Sequence, residues 1–242
     1  RDPTAEIHWL VAPANVPLLQ GHPGCTAVHA RPSHEKLLEL LSHLRPDALL
    51  NLGHRDRPLT VAAKRAGIPI RVARARGLDQ IQAATHRIWA GRCGTGRHEA
   101  QNVLDFLHPW GWAGGIPSPP RLRLTPEERA QGERDLADHP RPRLGVVLRG
   151  SGSGAFPSSA WWNEAIPLLR SAGWTPITLC PAEASDLPPT DLRGLMARLA
   201  ACQAVLSPST GPAHLAAALG VPVLALMGKR PNHGPDRWAP LG

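Results

Sequence analysis

Several residue types are scarce or absent in this sequence of 242 residues. It has no tyrosine, two phenylalanines and only three lysines, Lys36, Lys64 and Lys229. No apolar run approaches the roughly 18 residues of a membrane-spanning helix, and we recognise no signal peptide at the start of the chain. The shortage of aromatic residues and the absence of lysine or arginine blocks argue against nucleic-acid binding. We therefore expect a cytoplasmic protein that binds no nucleic acid.

Patterns typical of metal sites and disulfides are also missing. The four cysteines, Cys25, Cys93, Cys180 and Cys202, form no C-x-x-C pair, and we expect them to be reduced thiols. Because the histidines are scattered, we predict no metal site and no cofactor. Arginine, by contrast, is abundant, and the formal net charge is +8 at pH 7. A basic surface suits phosphorylated substrates or anionic lipid headgroups, although a GC-rich genome would also supply arginine.

Short apolar runs alternate with amphipathic helical patterns along the chain. This alternation predicts an α/β fold in which parallel sheets carry helices on both faces. The predicted strands are 6–11, 27–30, 48–52, 68–72, 144–148, 175–180, 204–206 and 221–227. The predicted helices are 34–44, 59–66, 98–110, 124–138, 158–172, 192–201 and one that begins at 212. A Gly- and Pro-rich linker at 111–120 predicts two domains, 1–115 and 116–242, and residues 73–96 are predicted to form an arginine-bearing loop.

The most informative stretch is Ala204–Met227, in which a strand, a polar turn, a helix and a second strand follow one another. The turn Ser209-Thr210-Gly211 precedes a helix that Pro212 can begin. Backbone N–H groups and the positive end of the helix dipole meet two hydroxyls there, which is an arrangement that binds phosphate. His214 lies one turn further on. The alternative is a structural turn in which a hydroxyl only caps the helix.

A second candidate for phosphate binding is the loop Gly150–Gly154, which contains Ser151 and Ser153 and follows a predicted buried strand. Its glycines would let backbone N–H groups approach an anion closely. Flexible loops have the same composition, so the argument depends on pairing this loop with the Ser209–Gly211 turn. In a doubly wound sheet both would lie at the carboxyl edge, where ligands bind.

Residues Ser209–Pro222 resemble the nucleotide-sugar loop of the heptosyltransferase family, glycosyltransferase family 9, and Arg97–Leu104 and Arg237–Gly242 resemble two further segments of that family. The resemblance implies two Rossmann-like domains of the GT-B type. It also implies an inverting, metal-independent transfer of a heptose or related sugar from a nucleotide-diphosphate donor, with ADP-heptose as the leading candidate. The implied acceptor is a phosphorylated glycolipid of the lipopolysaccharide type, met at the inner face of the membrane.

The resemblance also implies roles for single residues. Family members have a hydroxyl residue near Ser151 that contacts the sugar nucleotide. Glu183 follows the predicted strand 175–180, where such domains hold ribose hydroxyls, and the alternative is a solvated loop acid. Thr190 would flank the base, while Asp191 would cap the next helix. The candidate substrate-binding residues are Ser151, Ser153, Glu183, Thr190, Ser209, Thr210, Gly211 and His214.

The sequence departs from the family at two points. A lysine that meets the phosphates in the family is replaced by Gly154-Ala155-Phe156. The resemblance begins at the family's second strand and stops before its closing helices, so we expect a fragment or a reduced member without the family's catalytic aspartate, and we assign no catalytic residue. Two other functions stay open: a non-catalytic nucleotide-sugar-binding protein, and another GT-B enzyme such as a nucleotide-sugar epimerase. For His98 and Glu99, simple capping of a helix is the alternative to a functional role.

Overall fold

The computed structural model describes residues 4–53, 56–89, 96–112, 114–115, 117–149, 156–180, 185, 187–229 and 234–242. The chain divides into two compact units. We call residues 10–13 and 29–117 the amino-terminal unit, and residues 1–9, 14–28 and 118–242 the carboxyl-terminal unit. The break between 117 and 118 lies in the Gly- and Pro-rich linker. The assignment of residues 1–9 and 14–28 to the carboxyl-terminal unit has no counterpart in the sequence analysis.

The first half of the chain forms two sheets. Strands β1 (His8–Val11) and β2 (Ala27–Ala30) pair with each other, while β3 (Ala48–Asn51), β4 (Ile70–Arg74) and β5 (His86–Ile88) form a parallel sheet in that order. A 3₁₀ helix covers Pro13–Leu19. The α-helices of this half are α1 (Leu37–Leu44), α2 (Arg57–Arg65), α3 (Leu78–Ala83) and α4 (Glu99–Leu104). Of the leucines of α1, Leu37 and Leu41 are buried against α2.

The prediction of a loop over residues 73–96 is wrong, because α3 and β5 both lie within it. Both elements are short, and neither has a periodic apolar pattern that the sequence analysis could detect. Cationic side chains from neighbouring elements stabilise the end of α3. Arg87 Nε donates to Ile81 O at 2.8 Å, and Arg71 Nε donates to Ala83 O at 2.7 Å. Positive charge at a helix carboxyl terminus is favourable, so tertiary contacts stabilise a helix that its sequence alone does not specify.

Two predicted helices are also less regular than expected. The predicted helix 34–44 opens with a 3₁₀ turn at His34–Lys36 before α1 begins. The predicted helix 98–110 is α4 followed by a 3₁₀ helix, Asp105–Trp110. Pro109 lies inside this second segment, and proline cannot donate the N–H that a continued α-helix requires.

The carboxyl-terminal unit is built on one parallel sheet. Its strands are β6 (Arg143–Val147), β7 (Thr175–Cys180), β8 (Ala204–Pro208) and β9 (Val223–Leu226), in the order β7-β6-β8-β9. Its helices are α5 (Pro126–Asp135), α6 (Ser159–Ser171), α7 (Leu192–Ala200), α8 (Gly211–Ala218) and α9 (Pro235–Trp238). Every residue of β6 is buried, as expected for a central strand covered on both faces. Among the described residues, no helix is long and apolar enough to cross a membrane.

Helices α5 and α7 pack at very short range, and Gly132 makes this possible. A Cβ placed on Gly132 would overlap the carbonyl oxygen of Ala197 and lie 2.5 Å from its carbonyl carbon. Ion pairs flank this contact on both sides: Arg193 with Glu128, and Arg198 with Asp135. The hydrogen bond from Arg193 is the main cause that lowers the pKa of Glu128 below its usual range. The two helices are therefore fixed by one close backbone contact between two charged contacts.

Substitution of Gly132 with alanine is expected to lower the free energy of unfolding by about 1–3 kcal/mol through overpacking. In an unconstrained helix the same change would stabilise by up to about 1 kcal/mol, so the sign of the effect is diagnostic. Arg129→Ala, at an exposed position of the same helix, should stay within about 0.5 kcal/mol of the wild type. Urea denaturation of the three proteins measures these differences. A stabilised Gly132→Ala variant would contradict the close packing.

Candidate functional site

The carboxyl-terminal unit has a topological switch point at the carboxyl ends of β6 and β8. Strand β6 lies between β7 and β8 in the sheet, so the chain leaves β6 towards one side and later returns on its other side. Ligands of open α/β sheets bind in the crevice that such a reversal creates. The loop after β6, with Gly150–Gly154, lies outside the described residues, and the turn after β8 is described.

The turn after β8 is held by its own hydroxyls. Thr210 Oγ1 donates to Pro208 O at 3.3 Å and lies 3.2 Å from Ser207 Oγ, while Ser209 N donates to Leu226 O at 3.1 Å. Thr210 occupies the N-cap position of α8, but its side chain makes no capping hydrogen bond. The alternative, in which a hydroxyl only caps the helix, therefore does not hold for Thr210, because its hydroxyl bonds the strand end instead.

The start of α8 presents backbone donors at the sheet edge. Ala213 N donates to Thr210 O at 3.1 Å, and Pro212 has no N–H. For the N–H groups of Thr210 and Gly211, the described part of the chain offers no hydrogen-bond partner. Unsatisfied N–H groups at a helix amino terminus, together with the helix dipole, form a natural site for an anion.

Gly211 is exposed, and a Cβ placed on it would meet no atom within 4 Å. Its backbone is not in the left-handed region either, so the fold itself does not require glycine here. His214 lies one turn into α8 and is half-buried, as are Ser209 and Thr210. The four predicted residues, Ser209, Thr210, Gly211 and His214, thus lie together in the two residues before α8 and in the first turn of that helix.

A cavity of about 370 Å³ lies near the carboxyl end of β7. It belongs entirely to the carboxyl-terminal unit. Its walls come from the end of β7, from the segment before α7, from α7 itself and from the 3₁₀ helix. The lining residues are Ala14, Asn15, Leu179, Cys180, Ser185, Leu187, Pro188, Pro189, Thr190, Asp191, Leu192, Leu195 and Arg198. The combination of apolar walls with a few polar groups is typical of small-molecule sites.

The segment before α7 is shaped by contacts at the start of that helix. Asp191 caps the helix, as predicted, and its Oδ1 accepts a hydrogen bond from Gly194 N at 2.8 Å. A Cβ on Gly194 would overlap Thr190 Oγ1, so the Thr190 side chain folds over the first turn of α7. Thr190 lines the cavity. The sequence analysis predicted that Thr190 flanks the base of a nucleotide, and this role stays a prediction.

The structure therefore describes five of the eight predicted site residues. Thr190 lies at the cavity near β7, and Ser209, Thr210, Gly211 and His214 lie at the turn after β8. Strands β7 and β8 are separated by β6 alone, which corresponds to about 10 Å across the sheet edge. The other three, Ser151, Ser153 and Glu183, lie outside the described residues, so their roles stay predictions.

Most of the cavity residues escaped the sequence analysis, and three of them are informative. Ala14 and Asn15 come from the 3₁₀ helix Pro13–Leu19, far away in sequence, and no local pattern indicates their position. Arg198 is buried on α7. It follows Leu195, Met196 and Ala197 directly in the sequence, and this arginine within an apolar run was a signal that could have been noticed.

The cavity also contains a thiol, Cys180. Burial raises the pKa of Cys180, and it raises that of the neighbouring buried Cys202 to about 12. Both are therefore protonated at neutral pH and are poor nucleophiles. Among the described residues, no group of three or more His, Cys, Asp or Glu side chains could hold a metal ion.

The amino-terminal unit has a different kind of sheet edge. Arg74, the last residue of β4, forms a buried ion pair with Glu99, with Nη2 2.7 Å from Oε1. Nearby, Leu78 and Trp89 are 77% and 76% exposed, which makes them the most exposed large apolar side chains among the described residues. His98 caps α4, since its Nδ1 accepts from Ala100 N at 3.1 Å. The capping alternative thus holds for His98, whereas Glu99 serves as a buried partner of arginine.

The carboxyl-terminal part of the sequence matches a known family. Residues 168–242 match the model of glycosyltransferase family 9 (heptosyltransferase). This segment carries β7, α7, β8 and α8, and with them most of the cavity and the whole Ser209–Gly211 turn. The predicted resemblance is confirmed for this part of the chain. A comparison with curated protein sequences finds no match.

Solved structures share the fold over nearly the whole chain. A glycosyl transferase family 9 protein from Veillonella parvula DSM 2008 matches with a TM-score of 0.78 at 18% identity, covering 97% of this chain and 74% of that one. ADP-heptose LPS heptosyltransferase II of E. coli matches with 0.71 at 20% identity, covering 99% and 80%. E. coli heptosyltransferase WaaC with ADP matches with 0.68 at 15% identity, covering 98% and 83%. The predicted α/β fold with parallel sheets flanked by helices is confirmed.

Proposed function

We propose that this chain is a glycosyltransferase that moves a heptose, or a related sugar, from a nucleoside-diphosphate donor to a phosphorylated glycolipid acceptor. ADP-heptose is the leading donor, since two of the three structures described above are named for heptosyltransferases and one of these is a complex with ADP. The observation that carries the proposal is the pair of ligand features at one sheet edge. An apolar cavity adjoins β7, and α8 begins after β8 with N–H groups that have no partner among the described residues.

The two features suit different parts of the donor. The cavity suits the nucleoside, with Thr190 beside the base, and the start of α8 suits the diphosphate. Their separation of about 10 Å across the sheet edge is one that a nucleoside diphosphate can bridge. The helix amino terminus and His214 would stabilise the negative charge that develops on the departing diphosphate. We propose that these groups take the place of a metal ion in a metal-independent, inverting transfer.

The acceptor side of the proposal rests on the amino-terminal unit. Arg57 and Arg76 are exposed near the beginnings of α2 and α3, as are Leu78 and Trp89, and Arg57 forms an exposed ion pair with Asp79 at 3.8 Å. Cationic groups next to apolar side chains match the chemistry of a phosphorylated lipid, in which anionic groups adjoin acyl chains. We therefore propose that this edge meets the acceptor at a membrane surface.

One observation favours a second candidate, a protein that binds the nucleotide-sugar without catalysis. No lysine stands at Gly154–Phe156, where the family carries one for the phosphates. Without that charge, stabilisation of the leaving group would depend on backbone N–H groups, including those at the start of α8, and on His214. An assay for sugar transfer distinguishes the two candidates, since both predict that the donor binds.

Calorimetric titration tests the donor proposal. We expect ADP to bind the folded protein with micromolar to millimolar affinity, and more tightly than UDP or GDP, and we expect EDTA to leave the affinity unchanged. Absence of binding by all three nucleotides at millimolar concentration would refute the proposal. Loss of ADP binding in EDTA, restored by magnesium, would refute its metal-independent form.

A further inference from the structure

Arg198 makes two contacts that join different parts of the carboxyl-terminal unit. Its Nε donates to Asp135 Oδ2 at 2.7 Å, and its Nη1 donates to Pro188 O at 2.8 Å. The residue is only 7% exposed. A buried guanidinium needs partners for its donors, and here one partner is the carboxylate of α5 and the other is the cavity wall.

The wall that Arg198 contacts has few other supports. Pro188 and Pro189 have no N–H groups to donate, and both are exposed, as is Thr190. From Pro188 to Thr190, the described residues provide one tertiary hydrogen bond, the bond from Arg198 to Pro188 O. At either end the segment is anchored locally, by Leu187 N donating to Ser185 Oγ and by the Asp191 cap of α7.

We infer that Arg198 is a positioning residue for the nucleoside: by holding the Pro188 carbonyl, it fixes the wall 188–191 in the shape that accepts the base and ribose. The inference rests on the proposed function, because it takes the occupant of the cavity to be the nucleoside of the donor. Asp135 aligns the guanidinium from behind, so that the fork presents Nη1 to the carbonyl.

Loss of the Arg198 side chain should weaken nucleoside binding, because the wall would be less ordered in the free protein and would have to become ordered when the ligand binds. Ordering one residue's backbone costs an amount comparable to a fivefold to thirtyfold change in an equilibrium constant. If the wall is no longer held by Arg198, this entropic cost of ordering it falls on ligand binding. We therefore expect Arg198→Met to bind adenosine and ADP about five- to thirtyfold more weakly, by the same factor for both ligands, because the diphosphate site at α8 is untouched.

Arg143→Met provides a matched control. Arg143 is buried to a similar extent, pairs with Glu133 of the same helix α5 at 2.7 Å, and does not line the cavity. Both substitutions remove a buried guanidinium that pairs with a carboxylate of α5, and both should lower the melting temperature. Only Arg198→Met should change affinity when binding is measured on folded protein well below that temperature.

Titration of wild type, Arg198→Met and Arg143→Met with adenosine and ADP decides the matter. Adenosine affinity within twofold of wild type in Arg198→Met would overturn the inference while leaving the proposed function intact. Absence of ADP binding by wild type would overturn both. If Arg198→Met does not fold, Arg198→Lys takes its place. It keeps a cation near Asp135 but lacks the planar fork, and unchanged adenosine affinity in that variant would equally overturn the inference.

Discussion

Substitution of Glu99 with alanine is expected to lower the free energy of unfolding by about 3–5 kcal/mol, because it leaves the Arg74 guanidinium buried without its counter-charge. The side chains of Arg74 and Glu99 are 6% and 9% exposed, and Arg74 Nη2 lies 2.7 Å from Glu99 Oε1. Asn102 Nδ2 donates to the other carboxylate oxygen at 3.2 Å. A loss of this size is a large fraction of the stability of an ordinary domain.

Two further variants separate this effect from a general sensitivity of α4. Arg97 pairs with Asp105 nearby, but Arg97 is 43% exposed, so Arg97→Ala should cost only about 0.2–1 kcal/mol. Replacing both buried partners, as Arg74→Met with Glu99→Leu, should recover much of the stability lost in Glu99→Ala, since no unpaired charge remains. Urea denaturation curves give all three values. A Glu99→Ala loss below about 1 kcal/mol would show that water reaches the pair.

Elements with strong local signals were predictable from the sequence. Strands β2 and β7 have the predicted bounds, Ala27–Ala30 and Thr175–Cys180. The cap at Asp191 was predicted because a short acidic side chain preceded an amphipathic run. The turn Ser209–Gly211 was also predicted from a local pattern, since polar residues separated an apolar strand from a helix.

Features that depend on tertiary contacts were not predictable. The small helix α3 is stabilised by arginines from neighbouring strands. Glycine is needed at position 132 because of the close contact with Ala197, which lies 65 residues further along the chain. Asn15 reaches the cavity from the opposite end of the sequence. The contacts of the Thr210 hydroxyl were not predictable either, since the usual role of a threonine at that position is to cap the helix. Here Ser207 and the Pro208 carbonyl compete for the hydroxyl.

Gly211→Ala is expected to weaken ADP binding by roughly ten- to a hundredfold while leaving the fold intact. Since a Cβ at this position meets no protein atom within 4 Å, the variant should be as stable as wild type. Any change in stability should be a gain of at most about 1 kcal/mol, because alanine is favoured over glycine in helices. The open space over Gly211 is where an anion would approach the N–H groups that begin α8, and glycine is the residue that permits such an approach.

The expected loss of affinity follows from the kind of bond that the added methyl group would disturb. A hydrogen bond to a charged group contributes about 1.5–3 kcal/mol, and each 1.4 kcal/mol is about tenfold in affinity. Adenosine supplies the matched control, because it lacks the diphosphate and should bind Gly211→Ala and wild type equally through the cavity near β7. Melting temperature and calorimetric titration with both ligands complete the test. If ADP affinity stayed within twofold of wild type, the start of α8 would not hold the diphosphate, and Gly211 would have no role beyond the turn itself.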